Sequence, residues 1–413
     1  MKVLFLGSLI TQESMELFNS LSKEKASVAP VNYETMLIKG LVENGIEVEA
    51  LSVPAVAAFP NSQVKRVKNK TEMLDNGVVI NWVPFINIQG LKQMSIKRNS
   101  KKMIKKWLKD NKDVKDKMVL MYSIYPPYTA PAVKLCNKVS CHLSTIITDL
   151  PEYMYSWKKS KGIKGMFANR LQQQMLELQD KCDSYILFTE KMAKRMGVED
   201  KPYMVSEGFS DESVYSGIDV QEKYGKKTVV YGGNLSKLYG IRALLDGFMQ
   251  TTGDYELHLY GASADSEYAK ECAEKDARVK FFGRVSRSEM LVALKKAHLL
   301  VVNKPTSDDY SNYSFSSKIL EYMTSKTPVL TTRVGGMPTE YYDSFYFIED
   351  ETPSGIAKAI ESTLSSSEKE LSEMGERAYT FATREKNYSY QCKKIRDFLS
   401  NTLEKFEGEG GQR

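Results

Sequence analysis

The amino-acid sequence predicts an α/β protein made of two consecutive halves, each built on a parallel sheet. In both halves, short apolar runs alternate with segments of helical periodicity, which is typical of strands joined by crossover helices. The chain of 413 residues is long enough for two or three domains. Its 42% hydrophobic and 27% charged residues match globular proteins, which excludes disorder over most of the chain.

The first half contains six apolar runs that we interpret as strands. They lie at 2–6, 46–53, 78–83, 118–122, 144–148 and 185–189. Asn32 is expected to cap the helix after the first strand, and Asn44 and Gly45 are expected to end it, because these residue types favour helix ends.

The second half repeats this pattern, with strands expected at 228–231, 256–260, 279–282, 298–302, 329–332 and 345–348. The chain therefore divides into a first domain over 1–206, a polar, glycine-containing linker over 207–227 and a second domain over 228–385. A final helix over 386–406 is expected to cross back to the first domain, and the tail 407–413 is expected to be disordered. Two such domains imply a cleft between their strand ends, where open α/β sheets bind ligands.

Several classes of protein are excluded by what the sequence lacks. No run approaches the roughly 18 apolar residues of a membrane span, and the first apolar run has no signal-peptide cleavage site, so we interpret it as a buried strand. The five cysteines are scattered without a C-x-x-C pair, and the three histidines are far apart. These features predict a cytoplasmic protein with reduced thiols and no metal site. Neither a phosphate-loop motif nor a dinucleotide-binding glycine motif follows a predicted strand.

The positive charge is concentrated in two stretches. The net charge is +6, whereas residues 92–117 alone contribute +8 and residues 157–170 add +5, so the remaining chain sums to −7. This distribution is typical of a slightly acidic protein with two local cationic patches, and it argues against a nucleic-acid partner.

The segment 314–323 carries the most informative residues of the second half. Its apolar positions share one helical face, and Ser316 or Ser317 can cap its start. Lys318 in the first turn opposes the helix dipole, which suits a bound anion such as phosphate, although a solvated lysine is the alternative. Glu321 lies about 150° from the centre of the apolar face, so it points away from its own core and is either a ligand group or a solvated glutamate.

Four blocks in the second half resemble a known family in their order and spacing. They read VYGGNLSKLYG at 230–240, VKFFGRVS at 279–286, FSSKILEYM at 315–323 and PVLTTRVGGMP at 328–338. They are similar to the donor-binding domain of GT-B-fold glycosyltransferases of the large retaining family 4 type, also called glycosyl transferases group 1. The first half matches more loosely, through 146–152 and 185–208. The resemblance implies a GT-B architecture, in which two Rossmann-like domains face each other across a cleft.

The resemblance also implies roles for individual residues. Glu321 would accept hydrogen bonds from the ribose hydroxyls of a nucleotide sugar, and the helix start at Lys318 would hold its diphosphate. Asp149, at a strand end of the first domain, would face the acceptor or the reacting sugar, unless it caps a helix. With Lys318 and Glu321 it forms the candidate catalytic set. The candidate donor-binding residues are Gly232, Gly233, Asn234, Lys237, Gly283, Arg284, Val285, Tyr313, Ser316 and Ser317.

Three positions depart from the family pattern. Asn234 and Tyr239 stand where the family has an arginine and a lysine that grip the diphosphate, and Tyr313 replaces its first glutamate. Lys237 and Lys318 can substitute as point charges. The resemblance implies a transferase that needs no metal or cofactor, with the leaving diphosphate accepting the acceptor proton. The departures leave a catalytically inactive partner subunit as the alternative, and an epimerase on the same fold as a third option.

The two cationic patches suggest where the acceptor is found. In the first, Lys101 and Lys105 lie opposite an apolar stripe that includes Trp107, a pattern shared by membrane-surface helices and by ordinary domain helices. The second combines aromatic and basic residues directly after Glu152, in the candidate acceptor segment. Its leading residues are Trp157, Lys158 and Lys159. We therefore expect a lipid-linked glycan acceptor at the inner face of an anionic membrane, in cell-surface polysaccharide or glycolipid synthesis.

Overall fold

The computed structural model of the chain describes residues 1–154 and 163–408. The chain folds into two units, one made of Met1–Glu207 with Tyr388–Arg413 and the other of Gly208–Asn387. Each unit is a mainly parallel sheet flanked by helices, so the predicted α/β class is confirmed.

The first unit is built on an eight-stranded sheet in the order β10-β9-β8-β7-β1-β2-β5-β4. All neighbouring strands are parallel except β4, which runs antiparallel to β5. The six predicted strands are all present, and β4 and β10 extend the sheet at its two edges. The bounds are β1 Lys2–Gly7, β2 Glu47–Ser52, β4 Thr71–Met73, β5 Val79–Trp82, β7 Lys117–Tyr122, β8 His142–Ile147, β9 Ser184–Leu187 and β10 Tyr203–Val205.

Helices cover the sheet of the first unit, and a small antiparallel ribbon of β3 (Arg66–Val67) and β6 (Phe85–Ile86) stands apart from it. The helices are α1 Gln12–Ser20, α2 Val28–Glu43, α3 Leu91–Asp110, α4 Pro126–Val139, α5 Pro151–Met154, α6 Ile163–Gln179, α7 Glu190–Met196 and α14 Tyr388–Gly408. Within the described residues, every helix is too short or too polar to cross a bilayer.

The start of α2 differs from the sequence prediction. The helix begins at Val28 after the N-cap Ser27, one turn before the predicted cap Asn32, and it ends at Asn44 and Gly45 as predicted. The earlier start is possible because Pro30 lies in the first turn, where its missing N–H costs no helical hydrogen bond.

The second unit is built on a six-stranded, fully parallel sheet in the order β13-β12-β11-β14-β15-β16. Its strands match the six predicted ones. They are β11 Lys227–Gly232, β12 Tyr255–Tyr260, β13 Val279–Gly283, β14 Leu299–Val302, β15 Val329–Thr331 and β16 Tyr346–Phe347. The helices of this unit are α8 Ile241–Phe248, α9 Ser266–Lys275, α10 Arg287–Lys296, α11 Ser317–Met323, α12 Pro353–Ser365 and α13 Glu368–Glu385.

The segment expected as a polar linker is packed into the second unit from Gly208 onward. It forms a short 3-10 helix, Glu212–Tyr215, whose Tyr215 is 8% exposed in the core of that unit. The Tyr215 hydroxyl donates to the backbone carbonyl of Glu321 at 3.2 Å. The polar composition of this segment therefore reflects the side that it exposes to solvent. The segment is not an unpacked linker.

The last helix belongs to the first unit, where α14 packs along α2. The contact is close because Gly40 leaves no side chain in the way: a Cβ there would lie 2.6 Å from the Cys392 sulfur. The Asn44 side chain adds a hydrogen bond, donating from Nδ2 to the Ser389 carbonyl at 2.9 Å. The helix continues to Gly408, two residues into the predicted tail, and 409–413 lie outside the described residues.

Candidate functional site

The carboxyl ends of β11, β12 and β13 are formed by tight glycine turns. Gly233 and Gly261 have φ values of +135° and +124°, which favour glycine. A Cβ on Gly261 would lie 1.8 Å from the carbonyl oxygen of Gly233, so only glycine allows this approach. The Gly233 amide donates to the Tyr260 carbonyl at 2.8 Å, and the Gly261 amide donates to the Gly283 carbonyl at 2.6 Å. These glycine turns present bare backbone, without side chains, along one edge of the sheet; we call this surface the glycine floor.

The Lys318 ammonium lies at this floor. Its Nζ is so close to the Gly233 turn that a Cβ on that glycine would stand 2.7 Å from it. It donates to the Tyr231 hydroxyl at 3.1 Å and lies 4.4 Å and 5.2 Å from the ring centroids of Tyr231 and Tyr239. Burial lowers the pKa of Lys318 to about 8, opposed by Glu321 and assisted by the charge of Lys304. This environment differs from that of a freely solvated lysine.

Lys304 is a second lysine at the same edge, and it was missed in the sequence analysis. It lies two residues after the end of β14, is 4% exposed, and its Nζ donates to the Ser314 hydroxyl. The same Nζ lies 4.0 Å from the centroid of the Tyr310 ring. The available signal was its position: a lysine two residues after a buried parallel strand lies where such sheets bind ligands.

Glu321 lies one turn after Lys318 on α11, with its side chain 29% exposed. Its Oε1 is 3.2 Å from Nη2 of Arg287, the first residue of α10. The carboxylate therefore points away from the core, as its position on the helix predicts, and an arginine holds it in place.

The hydroxyl of Tyr322 joins α11 to the glycine turn. It accepts from the Gly232 amide at 2.8 Å and donates to the Gly232 carbonyl at 3.2 Å, while the ring is buried at 2% exposure. The end of β11 is thereby fixed against the helix that carries Lys318 and Glu321. Sequence periodicity places Tyr322 beside the core but does not reveal this double hydrogen bond.

The other predicted donor residues surround the floor in different ways. Asn234 and Lys237 are exposed on the loop after β11, where the Asn234 carbonyl accepts from the Tyr231 hydroxyl at 2.7 Å. Gly283 ends β13, Arg284 is exposed, and Val285 packs against the core.

The predicted cap of α11 is weaker than expected. Ser316 is the N-cap residue of this seven-residue helix, but its side chain makes no capping hydrogen bond. Tyr313 and Ser316 are half-buried, and Ser317 is exposed. Positive charge at this edge is supplied by lysine side chains.

The first unit carries the remaining candidates. Asp149 follows β8 and is half-buried, with the Thr148 hydroxyl donating to its Oδ2 at 3.5 Å. Glu152 forms an ion pair with Arg195 on α7, at 2.6 Å between Oε1 and Nη2. His142, at the opposite end of β8, is a core residue whose Nε2 lies 2.9 Å from the Ser184 hydroxyl.

The interpretation of Trp107 as a membrane-facing residue needs correction. Its side chain is 5% exposed because the apolar stripe of α3 packs inward, mainly against α4. Lys101 and Lys105 remain exposed on the outer face. Trp157, Lys158 and Lys159 of the second patch lie outside the described residues. Among those described, no group of three or more His, Cys, Asp or Glu side chains could hold a metal ion.

Residues 218–381 match the family model of the glycosyl transferases group 1. This part of the chain is a glycosyl transferases group 1 domain. It covers the glycine floor, both lysines and Glu321. No curated protein sequence matches the chain.

Solved structures with the same fold extend the likeness to the whole chain. Sucrose-phosphate synthase from Thermosynechococcus elongatus is 14% identical, with 98% of this chain and 99% of that chain covered and a TM-score of 0.64. Trehalose 6-phosphate synthase from Burkholderia multivorans is 11% identical, covering 99% and 98%, with a TM-score of 0.65. HepE of Anabaena, in complex with UDP, is 15% identical, covering 97% and 100%, with a TM-score of 0.61. At these identities the likeness shows the fold, and the predicted GT-B architecture is confirmed.

We expect Tyr322→Phe to lower the free energy of unfolding by about 1–3 kcal/mol, because it leaves the buried amide and carbonyl of Gly232 unpaired. Urea denaturation of the purified chain measures the change. Tyr346→Phe on β16 is the control, since the Tyr346 hydroxyl makes no hydrogen bond to any of the described residues, and it should leave the stability nearly unchanged. Equal stabilities for the two variants would show that the Tyr322 hydroxyl does not hold the glycine turn.

Proposed function

We propose that the chain is a retaining glycosyltransferase whose second unit binds a nucleotide-sugar donor. The observation that carries this proposal is the Lys318 ammonium at the Gly233 turn, within a glycosyl transferases group 1 domain. A cation above an open backbone floor at the carboxyl edge of a parallel sheet suits a diphosphate.

The charge of the site supports a diphosphate ligand. Lys304 is close enough to Lys318 that its charge lowers the pKa of the Lys318 amine, which puts a second cation near the one at the Gly233 turn. Together they offset the family's missing arginine and lysine at Asn234 and Tyr239. The HepE structure contains UDP, and a neighbouring Escherichia coli structure of 9% identity is described as bound with UDP-2-fluoro glucose. Both ligands carry a diphosphate of the proposed kind.

Glu321 suits the ribose of the same ligand. A carboxylate has two acceptor oxygens that can receive both hydroxyls of a vicinal diol. Arg287 holds one of these oxygens at 3.2 Å and leaves the carboxylate 29% exposed. Lys318 and Glu321, one turn apart, would therefore bind the diphosphate and the ribose of one nucleotide.

The proposed reaction is metal-independent transfer of a hexosyl or related sugar with retention. As the bond between the anomeric carbon and the diphosphate breaks, negative charge grows on the leaving oxygen, and Lys318 stabilises it electrostatically. The acceptor hydroxyl attacks from the same face and transfers its proton to that diphosphate oxygen. The lysines thus supply the charge stabilisation that this proposal requires.

The proposed acceptor is a lipid-linked glycan at the inner face of an anionic membrane, in cell-surface polysaccharide or glycolipid synthesis. Support comes from the outer face of α3, where Lys101, Lys102, Lys105 and Lys106 are exposed while the apolar stripe packs inward. Each basic residue near anionic lipid contributes about 1 kcal/mol of attraction. The membrane contact proposed for α3 is therefore electrostatic and does not involve insertion of Trp107.

A partner subunit that binds a nucleotide sugar without turning it over is the second candidate. It is favoured by Asn234, which is exposed and uncharged where the family places an arginine. Donor binding without sugar transfer, across a panel of nucleotide sugars and acceptors, would support it over the transferase.

Lys318→Ala and Glu321→Ala should each weaken UDP binding about ten-fold or more, because each removes a charge-assisted hydrogen bond worth about 1.5–3 kcal/mol. Isothermal titration calorimetry on the purified chain measures the affinity. Lys369→Ala is the control, since Lys369 lies on α13 and is 83% exposed. Wild-type affinity and turnover in both site variants would refute the assignment of the donor site.

UDP affinity should fall as the pH rises from 7 to 9.5. Burial holds the pKa of Lys318 at about 8, so its ammonium is increasingly neutralised over this range. The terminal phosphate is already ionised above about pH 7 and does not contribute. The bound diphosphate stabilises the charged form of the Lys318 amine, so the fall in UDP affinity is expected above pH 8. A pH series of titrations measures it, and Lys318→Ala should flatten the profile; an unchanged slope in that variant would assign the titration to another group.

The double variant Lys101→Glu/Lys105→Glu should bind anionic vesicles about thirty-fold or more weakly than wild type, given about 1 kcal/mol per basic residue. Vesicle flotation with and without phosphatidylserine measures the change. Lys369→Glu/Lys393→Glu alters the net charge equally at exposed positions outside α3. Equal losses in both variants, or wild-type flotation without anionic lipid, would contradict a binding face on α3.

A further inference from the structure

The first unit contains a cavity of about 430 Å³ at the carboxyl edge of its sheet. The loops after β1, β2 and β7 form its walls, with Ser8, Val53 and Ser123 among the lining residues. Its size lies within the roughly 300–1,000 Å³ of small-molecule sites, and this edge is where open α/β sheets bind ligands.

Lys92, the second residue of α3, lines this cavity. Its Nζ donates to the Val56 carbonyl and lies 5.3 Å from the centroid of the Phe85 ring. Among the described residues, no carboxylate forms an ion pair with it. Burial lowers the pKa of the Lys92 amine to about 8. A half-buried ammonium without a counter-ion is costly unless an anion offsets its charge.

The positive charge of this cavity comes from lysine side chains. The helix α4 begins beside the cavity with Pro126 and Pro127, which have no N–H groups to offer an anion. Lys25 adds an exposed ammonium at the lining, and Glu24 adds a carboxylate that accepts from the Asn61 side chain at 3.3 Å. The lining is therefore cationic by one charge.

Two tyrosines give the cavity a face that suits a sugar ring. The rings of Tyr125 and Tyr128 meet edge to face, with centroids 5.3 Å apart, and both line the cavity. The Tyr128 hydroxyl donates to the Tyr122 carbonyl, which fixes that ring against β7. Aromatic faces with a few convergent polar groups are typical of small-molecule sites.

The wall is also held rigidly at Ser8. The buried carboxyl group of Glu34 accepts from the Ser8 amide at 2.9 Å and from its hydroxyl at 2.8 Å. At the next strand end, Asp149 lies close enough to Tyr122 that its charge, after burial and Glu34, helps to raise the pKa of that phenol. The candidate catalytic carboxylate of the first unit is therefore near Tyr122, which lines the cavity.

We propose that this cavity binds the phosphorylated part of the acceptor, with the Lys92 ammonium as its counter-charge and the tyrosines against the adjoining sugar. The acceptor role rests on the proposed function, whereas anion binding at Lys92 does not. A soluble sugar phosphate and a lipid-linked sugar phosphate present the same chemistry to this site.

The test uses the full chain saturated with UDP, so that the donor site is filled, and inorganic phosphate as the probe. Phosphate should raise the Tm of wild type and of Lys97→Met, an exposed control on the same helix. Lys92→Met keeps the length of the side chain, and its phosphate response should weaken at least five-fold while UDP affinity is unchanged. A wild-type response in Lys92→Met, or none in wild type, overturns the proposal.

A second measurement needs no substitution. Acetic anhydride should acetylate Lys92 in wild type, and phosphate should reduce this labelling at least five-fold, as read by mass spectrometry; unprotected labelling overturns the proposal. Failure of UDP to bind would remove the proposed function but leave the Lys92 result interpretable. Sugar transfer is the readout that distinguishes the two sources of the phosphate group: the acceptor is either a soluble hexose 1-phosphate or a polyprenyl-linked sugar phosphate in vesicles, whichever the enzyme prefers. Transfer that is insensitive to Lys92→Met refutes the acceptor role.

Discussion

The contact between the Lys318 ammonium and the Gly233 turn is the constraint on which the second unit depends. The amine can occupy this position only because Gly233 has no side chain, and the Tyr231 hydroxyl directs it by accepting a hydrogen bond from it at 3.1 Å. The turn stays in place because the Tyr322 hydroxyl pairs with both backbone groups of Gly232. Backbone, helix and charge are thus mutually fixed, which is the preorganisation that electrostatic stabilisation of a leaving group requires.

Both units place a half-buried lysine at the carboxyl edge of a parallel sheet. Lys92 in the first and Lys318 in the second each have a pKa that burial lowers to about 8. The folded chain therefore bears an unfavourable charge at each edge, which a bound anion relieves. A transferase that moves a sugar from a nucleotide diphosphate to a phosphorylated acceptor would use one such cation for each substrate.

The helix α3 shows why one pattern can support two functional interpretations. Its alternation of lysines with Ile104, Trp107 and Leu108 fits both a membrane-surface helix and a domain helix. The stripe is buried in the first unit, so the tryptophan contributes to folding, whereas the lysines stay exposed to a partner. Periodicity reveals which residues share a face, but it does not reveal what that face packs against.

Much of the architecture follows from local sequence. Apolar runs of four to six residues define the strands of both parallel sheets, and the four family-like blocks, which contain Lys318 and Glu321, indicate where the proposed donor site lies. The start of α2, the packing of Gly208 onward into the second unit, and the inward face of α3 were decided by tertiary contacts. Tertiary contacts also decided the environments of Lys304, Tyr322 and Lys92, because a lysine or tyrosine gains its role from partners that are distant in sequence. Residue type and spacing determine which elements form, whereas burial and close approach determine which polar groups become functional.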